Sequence, residues 1–447
     1  MYIKLIQPKM RRRPMDTDIK THMAPPLGLL TIVSLLRDKH HVTLENENIC
    51  PIEYHDGPDL VGISVTVDTL PGAMEIARRF RARGIPVVAG GIHITTALST
   101  IPEDAFDVLC VGPAEGTWPA IVEDFANDAL KRIYRCDGAF CGEDIVSPAY
   151  DFISRKEYLY CNVVHTSRGC PFRCDFCYNS SGEHRYVHRR IEDVLRDIRA
   201  VHSKHIMFID DNFAGDSAWT KKLLRAIIPL NIRWNAAVSI NAAFDMELLD
   251  MMKDSGCQGL FIGFESINPE SIRAVHKGQN SIARYEQAIR NIHDRGIMIN
   301  ASFVFGLDGD TPAVFRDTLE WIVRNRIETV TSHIMTPYPG TVLYAQLQQE
   351  GRILTDDLSL YNTANVVYQP RQMTAEELEA GYLWMYRQIY SFKNIWRRMP
   401  RCRRQRPAYL MFNLFYRKFG KFTDWLCKRI TYERIGYLGE KLAKYLN

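Results

Sequence analysis

The sequence predicts an α/β protein: a parallel-sheet domain, then a partial barrel of six βα units, then a mainly α-helical region. Three observations predict it. Short apolar runs alternate with runs of helical period through about the first 130 residues. The same alternation returns between residues 161 and 350, and beyond that the chain becomes helical, basic and aromatic. Alternating β and α runs build parallel sheets with helices on both faces. The expected divisions are 1–135, a linker of mixed polarity over 136–160, the barrel over 161–350 and the C-terminal region over 351–447.

In the first part, MYIKLIQ, HVTLE, DLVGISVTV, IPVVAGG and FDVLCVG read as strands. LGLLTIVSLLRDKH, PGAMEIARRFRARG and GTWPAIVEDFANDAL read as helices. The pattern is that of a flavodoxin-like, Rossmann-type sheet, whose ligands bind beyond the carboxyl ends of the strands. The residues there are Gln7-Pro8, Ser64, Gly90, Gly91, Ile92, His93 and Gly112 to Glu115. Glycines at strand ends let a backbone approach a ligand, and they also simply make tight turns. In the second part, CNVVHTS, HIMFID, IRWNAAVS, GLFIGFE, IMINASFVFG and ETVTSHIM read as strands with helices between them. Six such units fit an open (β/α)6 barrel of the TIM type, with function on the loops after the strands. TAEELEAGYLWMYRQIYSFKNIWRR reads as one helix opened by Thr374 and Glu377 in capping-box spacing.

The 447 residues are 46% hydrophobic and 24% charged, which excludes disorder, collagen and coiled coil for the bulk of the chain. No run of about 18 apolar residues is visible, so no membrane-spanning helix is expected. The start MYIKLIQPKMRRRP lacks the apolar core of a signal peptide. A reducing cytoplasm is the expected compartment, with peripheral contact at the inner membrane face, and the eleven cysteines are expected as thiols or metal ligands. The net charge of +4 is uneven. Residues 393–447 carry 15 Lys/Arg against 3 Asp/Glu, a net +12, which leaves −8 for the remainder.

The chemistry lies in SRGCPFRCDFCYNSS, at the end of the first barrel strand. Cys170, Cys174 and Cys177 are spaced Cys-x-x-x-Cys-x-x-Cys. Three thiolates on one loop can hold three irons of a cubane and leave the fourth open, where four cysteines would close it. The competing reading is a structural zinc site completed by His184 or Cys161, although zinc sites favour paired Cys-x-x-Cys units.

This triplet, its place after the first barrel strand and Phe176 before its last cysteine resemble the radical S-adenosylmethionine (SAM) superfamily. PPLGLL, VGISV, VVAGGIH and VGPAE resemble the cobalamin-binding domain that precedes many of these barrels. FIDDNF, GFESINPE and FVFGLDGDT match the same subfamily, closest to its oxidative-cyclase and hopanoid-methylase branch. The resemblance implies that the open iron chelates SAM, that one electron cleaves it, and that the 5′-deoxyadenosyl radical takes hydrogen from an unactivated carbon. It implies a [4Fe-4S] cluster, SAM and cobalamin as cofactors, and a flavodoxin or ferredoxin as electron donor. The expected outcome is cobalamin-dependent C-methylation; cyclisation, oxidation or dehydration without methyl transfer is the alternative. RNA modification is remote, because the N-terminal domain offers only Cys50 and Cys110 for a second cluster. The substrate is expected to be a small molecule, lipid-like or tetrapyrrole, and the catalytic residues are not assigned.

By the same resemblance, Cys170, Cys174 and Cys177 are the cluster ligands, flanked by Arg168 and Arg173. Phe176 and Tyr178 are placed at the adenine. Asp210, Asp211 and Asn212 are placed at the methionine ammonium, and Glu265 and Ser266 at the ribose or carboxylate. Gly306 is placed where the adenosyl group approaches. Ser64, Gly90, Gly91, His93, Gly112 and Glu115 are expected around cobalamin. The Asp-x-His-x-x-Gly motif that ligates cobalt in other cobalamin proteins is missing: Asp38-Lys39-His40 lacks the glycine and follows a helix. Tyr338 and Tyr344 are expected beside the substrate or as lid packing. In the tail, Leu410, Leu414, Phe415, Phe419, Phe422 and Leu426 recur at helical spacing, with Arg417, Lys418, Lys421, Lys428 and Arg429 between them. That is the pattern of an amphipathic helix lying on an anionic membrane, or of a helix packed on the barrel.

Overall fold

The computed structural model describes residues 1–136, 140–181, 186–275 and 277–445, with side chains as far as 438. Six strands form the first sheet: β1 (Tyr2–Gln7), β2 (His41–Asn46), β3 (Leu60–Ser64), β4 (Val87–Gly90), β5 (Val108–Val111) and β6 (Ile133–Arg135). All are parallel, in the order β2-β1-β3-β4-β5-β6. Helices α1 (Leu27–Leu36), α2 (Leu70–Arg81), α3 (Ile92–Thr96) and α4 (Trp118–Ala126) cover its faces. One apolar cluster, with Ile63, Ile76 and Phe80, fills one face, and another, with Leu5, Val33 and Trp118, fills the other. The strand β6 is new relative to the sequence reading, which saw only mixed polarity from residue 131. Three residues with one buried side chain, Tyr134, are too short to show a period.

By length and composition, Asp18–Leu36 can cross a membrane. In the fold it is a 3-10 turn (Asp18–His22), a bend at Met23-Ala24 and α1, whose Leu29, Leu30 and Val33 are buried. Within the stretch expected as a linker, Ile145, Ala149 and Tyr158 are buried. Leu27 and Leu30 of α1 share a small core with Val163 and Tyr150, so α1 is wedged between the two sheets.

The second sheet is β7 (Val163–Val164), β10 (His205–Phe208), β11 (Arg233–Val238), β12 (Cys257–Glu265), β13 (Met298–Phe305) and β14 (Thr329–Ile334), in that order and all parallel. This is the expected partial barrel. The first expected strand is shorter than read, and its end forms a small antiparallel hairpin of β8 (Ser167–Arg168) with β9 (Val187–His188). The outer helices are α5 (Ile191–Ala200), α6 (Ser217–Ile227), α7 (Met246–Asp254), α8 (Pro269–Ala274), α9 (Tyr285–His293), α10 (Val314–Arg324) and α11 (Val342–Gln349).

The C-terminal region is helical, but in more pieces than expected. The capping box of Thr374 and Glu377 opens α12 (Ala375–Ile389), and a second N-cap, Ser391, starts α13 (Phe392–Arg397). Then come α14 (Arg406–Leu410), a π-helical turn (Met411–Lys418), α15 (Gly420–Ile430) and α16 (Tyr432–Tyr445). Arg398 is fully buried and donates to the carbonyls of Ile327 (2.9 Å), Glu328 (3.0 Å) and Ile389 (2.8 Å), which ties this region to the start of β14. Arg417 departs from the expected cationic surface. It points inward, ringed by Tyr386, Tyr390, Phe412 and Tyr416 at 4.8 to 5.8 Å. Tail and N-terminal loop meet where Ile19, Cys427 and Tyr432 are buried together and Lys428 pairs with Asp18 at 2.6 Å.

Candidate active site

The cysteine loop is anchored from below. Asp210, at the end of β10, takes hydrogen bonds on one oxygen, Oδ1, from Thr166 N (2.8 Å), Thr166 Oγ1 (3.1 Å), Ser167 Oγ (2.7 Å) and Ser167 N. Its Oδ2 is buried with no partner among the described residues, and burial pushes the carboxyl up to about 6. Arg189 adds a second anchor. It is fully buried, pairs with Asp197 at 2.7 Å and donates to His165 O (3.0 Å) and Ser147 Oγ (3.0 Å).

On the loop, Cys174 is buried and Cys170 and Cys177 are half-buried. Asn212 donates toward Cys170 Sγ at 3.9 Å, and Gln279 toward Cys174 Sγ at 3.5 Å. Burial raises all three thiols, Cys177 up to about 12, and neighbouring cysteine charge raises Cys170 and Cys177 further. The three sulfurs therefore share one electrostatic neighbourhood. Among the described residues no three His, Cys, Asp or Glu side chains are arranged around a single metal ion. A cubane spreads its thiolates over several irons, so the donor set suits it better than zinc. Of the two expected zinc partners, Cys161 turns toward Arg155 O at 4.0 Å, and His184 lies outside the described residues.

Phe176 packs against the barrel core and Tyr178 faces a cavity, while Asp211 is exposed near Tyr178. Asn212 is buried and also accepts from Ser239 N at 3.2 Å, which joins the ends of β10 and β11. Glu265 sits at a register shift of β12 with φ 62°, in the left-handed region. Its carboxylate is already paired with Lys277, which also donates to Gly263 O at 3.0 Å. Ser266 is buried, and its hydroxyl accepts from Asn268 N at 3.0 Å. Gly306 has φ 95°, and a Cβ there would meet Leu378 Cδ2 at 2.7 Å; its carbonyl accepts from Tyr368. Packing by the C-terminal segment thus accounts for this glycine. Lys277 and Gln279 were missed by the sequence reading, because they lie on an irregular loop with no motif.

The cavity opens between the two sheets and measures about 290 Å³. Thr66, Asp68, Ile92, His93 and Thr96 line it from the first domain; Tyr178, Tyr338 and Pro339 line it from the barrel. Gly91 makes the turn into α3 with φ 107°, and a Cβ there would meet Val65 O at 2.8 Å. Of the residues expected around cobalamin, His93 lines the cavity. It is buried, contacts Thr100 Oγ1 at 3.1 Å, and is held down at about 4 by burial, hence neutral. Ser64, Gly90 and Gly112 shape the strand ends behind this wall. Glu115 is engaged elsewhere: it forms a bidentate pair with Arg168 at 2.7 and 3.0 Å, bridging the first domain to the cysteine hairpin. That pair also removes Arg168 as a free counter-charge for a cluster. Tyr344 packs with Val67, Tyr361 and Val367 rather than lining the cavity. His40 precedes β2, at the opposite end of the sheet from the cavity.

The third wall is cationic. Arg11, Arg13 and Lys20 face the cavity. Arg13 (2.9 and 3.1 Å) and Lys20 (3.0 Å) share one carboxylate, Asp16. Arg417, behind them, has no carboxylate partner among the described residues and donates to Tyr386 OH at 3.2 Å. Positive charge is in excess at this end.

Comparison with known proteins fits this arrangement. Residues 164–322 match the radical SAM superfamily, residues 21–122 match a B12 binding domain, and residues 341–419 match a domain of unknown function, DUF4070. The chain is a cobalamin-dependent radical SAM enzyme. Its cofactors are a [4Fe-4S] cluster, SAM and cobalamin; its substrate is a small molecule and its cluster takes electrons from a reductant. The chain is 28% identical over 413 residues to bacteriochlorophyllide d C-12(1)-methyltransferase of Chlorobaculum tepidum, covering 88% of each. It is 26% identical to hopanoid C-2 methylase of Rhodopseudomonas palustris, over 77% of this chain and 68% of that one. It is 24% identical to the anaerobic magnesium-protoporphyrin IX monomethyl ester cyclase of Cereibacter sphaeroides, over 75% and 60%. In fold it resembles the cobalamin-dependent SAM radical enzyme OxsB with aqua-cobalamin bound, with TM-score 0.68, 15% identity, and 94% and 72% covered. The family match over 341–419 extends the recognisable region into the tail, where the sequence reading found no motif.

Proposed function

We propose that this enzyme methylates an unactivated carbon of a small, largely apolar molecule that carries an anionic group. The observation that carries this reading is the shared cavity, walled by strand-end loops of the B12 domain on one side and barrel loops on the other. The methyltransferases among the relatives support it. When bound, the cluster supplies one-electron cleavage of SAM, and cobalamin carries its methyl group. The overall change balances as substrate C–H, two SAM and two electrons giving C–CH3, S-adenosylhomocysteine, 5′-deoxyadenosine and methionine.

In this reading Cys170, Cys174 and Cys177 hold the cluster, and Asn212 and Gln279 donate to two of its sulfurs. Phe176 and Tyr178 border the SAM adenine, and Asp211 receives the ammonium. Thr66, His93 and Thr96 would border the corrin, over the turn made by Gly90 and Gly91. Arg11, Arg13 and Lys20 hold the anionic group of the substrate, since charge-assisted hydrogen bonds suit a carboxylate or phosphate. Lys20→Met leaves Asp16 paired with Arg13, so the fold is retained. Loss of one charged hydrogen bond, worth about 1.5–3 kcal/mol, should raise KM about tenfold or more and leave SAM affinity and cobalamin content unchanged. Steady-state kinetics with bacteriochlorophyllide d, which carries a carboxylate, as the test substrate measure it. Cyclisation or oxidation without methyl transfer is the second reading, favoured by the cyclase relative.

A further inference from the structure

The outer side of the C-terminal region carries aromatic rings that are exposed among the described residues. Trp396 is 71% exposed, Phe392 59% and Phe422 55%; Phe415, Phe419 and Trp425 are also exposed. They form one surface. Phe392 on α13 lies 6.1 Å from Phe419 at the start of α15, and Phe422 stacks on Trp425 at 5.7 Å. Trp396 is one turn beyond Phe392 on the same helix face. Basic side chains are interleaved: Lys418 lies over the Phe392 ring at 4.5 Å and Arg429 over Trp425 at 4.2 Å. Trp396 also borders a broad surface basin of about 970 Å³, lined by Arg324, Arg326, Arg397 and Arg406 with a single acid, Glu320.

Burying rings of this size is the usual gain of tertiary packing, so an exposed set points to an external apolar phase. Residues 393–447 carry net +12, which selects an anionic occupant. Rings flanked by Lys and Arg are the pattern of the bilayer interface, where aromatics sit at headgroup level and cations meet lipid phosphates. We infer that the face formed by α13, α15 and the turn between them docks on the surface of an anionic bilayer, with the Arg-lined basin at headgroup level. The inner side of the same segment is fixed to the N-terminal loop through Ile19, Cys427 and Tyr432, and that loop also carries Arg11, Arg13 and Lys20 of the cavity. Docking therefore sets the cavity close to the bilayer, which suits a substrate that partitions into lipid.

The test uses the full, cofactor-loaded chain in co-sedimentation with vesicles of phosphatidylcholine alone or mixed with phosphatidylglycerol, at low and high salt. Binding is expected only with phosphatidylglycerol and is expected to weaken with salt. Phe419→Ser/Phe422→Ser/Trp425→Ser should weaken it about tenfold or more, because several exposed rings no longer enter the interface. These side chains are exposed, so circular dichroism and SAM cleavage should match the parent. Lys418→Glu/Lys421→Glu, with all rings intact, should abolish the preference for phosphatidylglycerol. Negligible sedimentation of the parent at low salt, or binding unchanged by both variants, overturns the inference. So does tight binding of bulk tRNA that the ring variant abolishes while vesicles are ignored, which would make the face a nucleic-acid surface.

Discussion

Alanine at Cys170, Cys174 and Cys177 together is expected to leave a folded chain with no iron and no 5′-deoxyadenosine production. The loop is pinned by Asp210 and Arg189 rather than by the thiols, and of the three only Cys174 is buried. Losing its sulfur costs about 1 kcal/mol of packing, too little to unfold the domain. Activity, by contrast, should fall below detection, because without a cluster the chain has no means of delivering an electron to SAM. Anaerobic reconstitution, then iron, sulfide and zinc analysis and chromatography of the nucleoside, reads this out. Cys161→Ala, whose sulfur lies apart from the loop, should behave as the parent. About four irons per chain in the triple variant, or stoichiometric zinc in the parent, would remove the assignment.

The largest effect on stability is expected at Arg189→Met. Arg189 and Asp197 form an ion pair with side chains 0% and 1% exposed. Removing the guanidinium strands a buried carboxylate whose remaining neighbour is Tyr150 OH at 3.4 Å, and also leaves His165 O and Ser147 without their donor. Breaking a buried pair from one side costs about 3–5 kcal/mol. Denaturant unfolding followed by far-ultraviolet circular dichroism should show a lowered midpoint with an unchanged slope. His165 lies on the segment that leads into the cysteine loop, so cluster content should fall as well. A change under about 1 kcal/mol would mean that the pair is offset by solvent that the packing does not suggest.

What was legible in the sequence was whatever has a period or a spacing. Apart from β6, the strands of both sheets announced themselves as apolar runs, and the capping box fixed the start of α12. The cysteine triplet marked the candidate site because three thiols at that spacing have few other uses. What was hidden depends on long-range contact. Glu265 reads as a strand-end acid, and only the fold shows Lys277 on it; Glu115 reads as a loop acid beside a glycine, and only the fold brings Arg168 to it. Arg417 illustrates the same limit. Its place in the tail's pattern put it on the polar face, but the π-helical turn changes the phase of that pattern and directs it into a ring of aromatics. A three-residue strand such as β6 carries too little pattern to be seen before the sheet that it completes.

The reading stands or falls on the fate of the SAM methyl group. The most direct measurement supplies the holoenzyme with SAM bearing a deuterated methyl group, a reductant, and bacteriochlorophyllide d, hopanoid or a host lipid extract. The products are then followed by mass spectrometry. Methylation predicts a product carrying three deuterons in its added methyl group, with S-adenosylhomocysteine and 5′-deoxyadenosine formed in equal amounts. A product without added carbon, formed with 5′-deoxyadenosine and without S-adenosylhomocysteine, would contradict it and assign the enzyme to radical cyclisation or oxidation.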